Sequence, residues 1–96
     1  MKEIELKFMG SALMPVEPSL RKVKLEEDER SVKNLIEKIS DIFKEELGIE
    51  ILEEDGRVSK YILIIVNGVN ITHKDGLKTE IRDGDKVSIV PAMIGG

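Results

Sequence analysis

One stretch constrains this chain more than any other. Val32, Leu35, Ile36, Ile39, Ile42, Phe43 and Leu47 recur at spacings of three and four, which gathers them on one face of a helix. Lys33, Glu37, Lys38, Asp41, Lys44 and Glu45 take the opposite face. Ser31 stands where an N-cap belongs, and Gly48 can adopt the left-handed conformation that ends a helix. A lone amphipathic helix cannot bury its own stripe, so this one must lie across a sheet.

The strands for that sheet are legible on either side. Glu3 to Met9 alternates, with Ile4, Leu6 and Phe8 to one side and Glu3, Glu5 and Lys7 to the other. A second alternation follows at Val23 and Leu25, with Lys22, Lys24 and Glu26 facing away. Between them Gly10 to Ser19, which holds Pro15 and Pro18, reads as a loop, and the two strands are expected to pair antiparallel. After the helix, Ile49 to Lys60 is an acidic loop with Asp55-Gly56 and room for a short hairpin. Tyr61 to Val66 is apolar on both faces and reads as a central strand. Asn67-Gly68 signals a tight turn into a short antiparallel strand over Val69 to Thr72. Asp75-Gly76 and Asp83-Gly84 mark further turns, with Leu77 and Ile81 tucked beneath the segment between them. Lys86 to Val90 forms the last strand, expected to run parallel to the first. Pro91, which has no N–H, should leave the sheet. The expected organisation is one domain over residues 1–90 and a flexible extended tail over 91–96.

Composition narrows the chemistry. Nineteen acidic and 15 basic residues in 96 give a formal charge of −4, which argues against a nucleic-acid partner. There is no cysteine and one histidine, so thiol catalysis, disulfides and multi-histidine metal centres are excluded within the chain. No apolar run approaches the ~18 residues of a membrane span, and Met1-Lys2-Glu3 opens no signal-peptide core. A cytoplasmic protein with no membrane partner is expected.

Candidates for catalysis are poor. The run Glu26, Glu27, Asp28 and Glu29 offers carboxylates, but a charge run ahead of a helix is more simply a solvated cap favoured by the helix dipole. Asp83-Gly84-Asp85 lacks the further oxygen ligands of a calcium loop and is better read as a turn. His73 near Asp75 could pair as base and orienter, yet a lone histidine beside an Asp-Gly turn is more simply exposed. No phosphate-binding glycine loop is present. The reading is of a non-catalytic chain that binds no metal or cofactor.

The informative end is Val90-Pro91-Ala92-Met93-Ile94-Gly95-Gly96. Two glycines without side chains can thread a narrow channel and present the α-carboxylate of Gly96 to a reactive centre in another protein. A carboxylate reacts only once one oxygen becomes a leaving group. Adenylation by ATP supplies that, after which sulfide, a thiol or an amine can attack the carbonyl.

With these residues in view, the stretch Ile64-Ile65-Val66-Asn67-Gly68-Val69-Asn70-Ile71 and the run from Gly76 through Arg82-Asp83-Gly84-Asp85 to Gly95-Gly96 resemble the small subunit of molybdopterin synthase (MoaD) in its archaeal form. The resemblance covers roughly residues 60–96. It implies an α+β, ubiquitin-like β-grasp fold, a mixed sheet with one helix on one face. It also implies a sulfur carrier whose Gly96, with Gly95 as its thin neck, is adenylated and converted to a thiocarboxylate. The implied partners are an adenylating enzyme of the ubiquitin-activating type, which would use ATP and magnesium, and the large subunit of molybdopterin synthase. Two features depart from that family: Ala92, Met93 and Ile94 follow Pro91 where a second proline is commoner, and Gly10 to Ser19 lacks a basic segment. The thiamine-pathway carrier (ThiS), transfer-RNA thiolation carriers and archaeal modifiers joined to lysines of substrate proteins share the same fold and terminus.

Strand parity suggests where partners dock. If Ile64 and Val66 face the helix, Leu63 and Ile65 lie on the open face of the sheet with Val90 beside them. Leu63, Ile65, Val90, Pro91, Met93 and Ile94 are therefore the expected partner-binding residues, next to the root of the tail.

Overall fold

The computed structural model describes residues 2–8, 19–48 and 50–91. Five strands form one mixed sheet. In chain order they are β1 (Lys2–Phe8), β2 (Ser19–Leu25), β3 (Ile62–Val66), β4 (Val69–Asn70) and β5 (Lys86–Pro91), arranged β2-β1-β5-β3-β4. β1 pairs antiparallel with β2 and parallel with β5, while β3 runs antiparallel to both β5 and β4. The one α-helix among the described residues, α1 (Val32–Leu47), covers one face, and the architecture is the ubiquitin-like β-grasp.

Alternation and capping explain these elements. Ile4, Leu6 and Phe8 of β1, Val87 and Ile89 of β5, and Ile62, Ile64 and Val66 of β3 are buried. They meet Val32, Leu35, Ile36, Ile39 and Phe43 from the helix, and the Phe8 and Phe43 rings pack with centroids 5.1 Å apart. Each such side chain contributes about 1.5–3 kcal/mol on burial, so the stripe is what fastens the helix to the sheet. At the helix start Ser31 is extended, its Oγ accepts the Asn34 N–H at 3.3 Å, and Asn34 Oδ1 accepts the Ser31 N–H at 3.2 Å. At the end, Gly48 is left-handed at φ 67° and donates to the Lys44 carbonyl at 3.0 Å. Segment 79–81 is stitched to the helix entrance: the Val32 N–H donates to Thr79 O and the Ile81 N–H to Arg30 O.

Several details differ from the sequence reading. The loop expected over Gly10 to Ser19 lies outside the described residues except for Ser19, which already begins β2. The strand expected over Val69 to Thr72 stops at Asn70, because the Asn70 side chain accepts the Thr72 N–H at 2.9 Å and turns the chain into a 3-10 helix over Ile71–His73. The middle of the sheet belongs to β5, and β3, expected to be central, has only two-residue β4 outside it. Pro91 stays in the sheet opposite Ile62. That position tolerates proline because the described β1–β5 ladder runs only as far as Phe8 and Ile89, so no described pair on that side needs an N–H from residue 91. The loop before β3 closes as the small hairpin expected, with a bridge between Leu52 and Val58. Among the described residues no helix is long and apolar enough to cross a membrane.

Candidate functional site

The face of the sheet away from α1 divides into two regions. Toward β2 it is ionic: Glu3, Glu5, Lys7, Lys22 and Lys24 share it, with Lys22 Nζ 3.7 Å from Glu3 Oε1 and Lys86 opposite Glu5 across the β1–β5 ladder. Toward β3 it turns apolar. Leu63 is opposite Val90, and Ile65 is opposite Ser88. Leu63 is 37% exposed, and Ile65 and Val90 are half-buried. Tyr61, 54% exposed with Lys60 Nζ 5.2 Å from its ring centroid, extends the same parity just ahead of the strand. Tyr61 is not among the expected partner-binding residues, although strand parity counted back two residues from Leu63 reaches it.

Thus the structure brings Leu63, Ile65 and Val90 together beside Pro91, the last described residue, whose backbone pairs with Ile62. Met93, Ile94, Gly95 and Gly96 lie outside the described residues. An apolar row on an otherwise charged sheet face, next to the strand that leads to two glycines, can seat a partner and hold the carboxyl end at a fixed place against it.

The other residues weighed for chemistry have structural duties. Asp85 accepts the Asn67 side-chain amide at 3.0 Å and the Arg82 N–H at 2.8 Å, while Asn67 Oδ1 accepts the Lys86 N–H at 2.9 Å. Asp83 Oδ1 accepts the Glu3 N–H at 2.7 Å, and the Gly84 N–H donates to Glu3 O. The Asp-Gly-Asp turn therefore fastens the start of β5 to both neighbours, and among the described residues no group of acidic or histidine side chains is placed to hold a metal. The acidic run works differently from the solvated helix cap expected: Glu29 Oε1 accepts the Glu26 N–H at 2.8 Å and pairs with Lys38 Nζ at 3.2 Å, closing the turn after β2. The Glu26 N–H first and Lys38 second hold the Glu29 carboxyl below its ordinary pKa. His73 is exposed.

Residues 13–96 match the model of the ThiS family. The chain belongs to the ThiS family. It is 42% identical over 74 residues to the "putative sulfur carrier protein" of Archaeoglobus fulgidus, which spans 77% of this chain and 83% of that one. It is also 42% identical over 45 residues to small archaeal modifier protein 3 of Haloferax volcanii, 47% of this chain and 49% of that one. Among solved structures, the complex of subunits 1 and 2 of the molybdopterin-converting factor from Helicobacter pylori contains a chain with the same fold. Its TM-score is 0.58 at 26% identity, covering 98% of this chain and 99% of that one. Its relatives thus bear the names of a sulfur carrier and of a small archaeal modifier, a similar chain is solved in complex with a second subunit, and the β-grasp fold agrees with the resemblance drawn from residues 60–96.

Proposed function

We propose that this ThiS-family protein is a sulfur carrier that acts as the small subunit of molybdopterin synthase. An oxygen of the Gly96 carboxylate attacks the α-phosphorus of ATP and pyrophosphate leaves. Hydrosulfide then attacks the Gly96 carbonyl, the C–O bond to AMP breaks, AMP departs, and a thiocarboxylate remains. The ATP and magnesium sit in an adenylating partner of the ubiquitin-activating type, and the large synthase subunit receives the sulfur. The placement of Leu63, Ile65 and Val90 beside Pro91 carries this reading, since a partner seated on that row has Gly95 and Gly96 within reach of its own active site. On this reading Met93 and Ile94 add apolar contacts to that partner. The reaction belongs to the cytoplasm, where the activating enzyme and ATP are found.

A second reading, a modifier whose Gly96 is joined to lysines of substrate proteins, is favoured by the similarity to small archaeal modifier protein 3. Chemically it differs only in the nucleophile, an amine in place of sulfur. Carriers for thiamine or transfer-RNA thiolation differ only in destination. Intact mass of the C-terminal fragment, from protein purified with its activating enzyme, separates the two classes. Replacement of one oxygen by sulfur at Gly96 supports the carrier. Gly-Gly remnants on lysines of other proteins, without that replacement, support the modifier.

A further inference from the structure

Around the corner from the exposed row, β3 has an unfinished edge. β4 pairs only with Ile65 and Val66, so among the described residues Ile62, Leu63 and Ile64 have no ladder partner on that side. A groove of about 540 Å³ lies there, lined by apolar side chains that include Val58, Ile62, Ile71 and Leu77. This is within the roughly 300–1,000 Å³ range of ligand sites. Its lip is basic. Arg57, Lys60 and Lys78 are exposed along it against one carboxylate, Asp75. Arg57 shares its charge with Asp55 at 3.5 Å, whereas Lys60 and Lys78 make no ion pair among the described residues. A chain of net charge −4 thus concentrates positive charge around its apolar groove.

We propose that this groove takes an extended acidic segment of a partner protein, with an apolar side chain in the cavity and carboxylates against Lys60 and Lys78. Two observations fix that chemistry. An apolar lining under a cationic lip selects apolar residues flanked by Asp or Glu and rejects basic ones, because like charges oppose docking. Leu63 lines the groove and also stands in the exposed row, so one partner can cover both surfaces continuously. The inference is independent of whether sulfur or an amine attacks Gly96.

The test uses the full chain labelled with nitrogen-15 and two short synthetic peptides. Both carry the same leucine and phenylalanine residues, spaced in one by Asp and Glu and in the other by Lys. The acidic peptide is expected to shift the amides of Ser59, Leu63, Ile71 and Leu77, and the basic one to leave them in place. The double variant Lys60→Glu, Lys78→Glu, both residues exposed, should weaken the acidic peptide about tenfold or more, while Lys24→Glu on the open sheet face changes little. Equal binding of both peptides overturns the proposal. So do shifts confined to Ile65, Ser88 and Val90, the absence of binding at millimolar peptide, or shifts that follow protein concentration alone and report a second copy in the groove.

Discussion

Replacing Asp85 by alanine is expected to cost about 2 kcal/mol of folding stability, and the sum follows from two bonds. Its carboxylate accepts the Asn67 amide at 3.0 Å and the Arg82 N–H at 2.8 Å. Hydrogen bonds to charged acceptors contribute ~1.5–3 kcal/mol, and solvent at this surface turn brings each to about 1 kcal/mol. Asp85→Asn keeps an oxygen for the Arg82 N–H but cannot also accept from Asn67, so it should lose about 1 kcal/mol. In a domain this short, 1 kcal/mol moves the melting temperature by about 4–8 °C. The asparagine variant should then melt about 4–8 °C lower, and the alanine variant about twice as far. Circular dichroism with heat and urea measures both. Asn67→Ala adds a cost of about 1–2 kcal/mol because Asn67 sits at φ 49°. That cost appears in both legs of a double-mutant cycle with Asp85→Ala and cancels, leaving a coupling of about 1 kcal/mol for the side-chain bond. An alanine variant within about 0.5 kcal/mol of the parent, or a coupling near zero, would refute the reasoning. Asp85 precedes β5 and Pro91 ends it, about 20 Å apart at ~3.3 Å per residue. Gly96 activation should therefore match the parent wherever the variants remain folded.

Ile65→Asp should abolish capture by the adenylating partner while urea unfolding stays cooperative, because Ile65 points away from the helix; unchanged affinity in a pull-down or calorimetric titration would count against the docking face. Ser31→Ala should lower stability by about 1 kcal/mol, and Ser31→Asp, which can still accept the Asn34 N–H, should recover most of it; equal urea midpoints for all three proteins would remove the cap from the account. Glu29 has its pKa depressed by folding, so its contribution is present above the unfolded-state pKa and is lost as pH falls through the folded one. The stability difference between parent and Glu29→Gln should therefore shrink as pH falls through and below the ordinary carboxylate range, and a gap that stays constant into acid contradicts it.

How much of this was legible in the sequence depends on the range of the interaction concerned. The helix from Ser31 to Gly48 was readable residue by residue because its period, its cap and its left-handed glycine are all local. The parity that puts Leu63 and Ile65 opposite Ile64 is equally local and reaches Tyr61 as well. What could not be read is set by distant partners. Pro91 remains in the sheet because the described β1–β5 ladder has already ended at Phe8 and Ile89, a boundary invisible in the proline itself. Asn67-Gly68 announced its turn, but the bond from Asn67 to Asp85 spans 18 residues and carries no periodic signal. The groove depends on β4 being two residues long, and the Asn70 side chain that shortens it looked like any residue of a short strand.

The place of β5 in the sheet also determines how firmly the carboxyl end is rooted. On the proposed function, a strand that leads to an activated Gly96 must resist being drawn out with it. β5 is laddered on both sides, to β1 from Lys86 to Ile89 and to β3 through Pro91, and its Val87 and Ile89 are fully buried. Pulling it away would expose both side chains at about 1.5–3 kcal/mol each and open two ladders at once, which approaches the cost of unfolding the domain. β2 is an edge strand bound to β1 alone, and β4 is held by two pairs. Native-state hydrogen exchange should therefore find the slowest amides among Val87, Ile89 and their β1 partners, with protection that follows global stability across denaturant. Amides of β4 should exchange through local opening well below that limit. Faster exchange in β5 than in β2 would mean that the root yields before the domain does, and the sheet order would then have no bearing on how the terminus is presented.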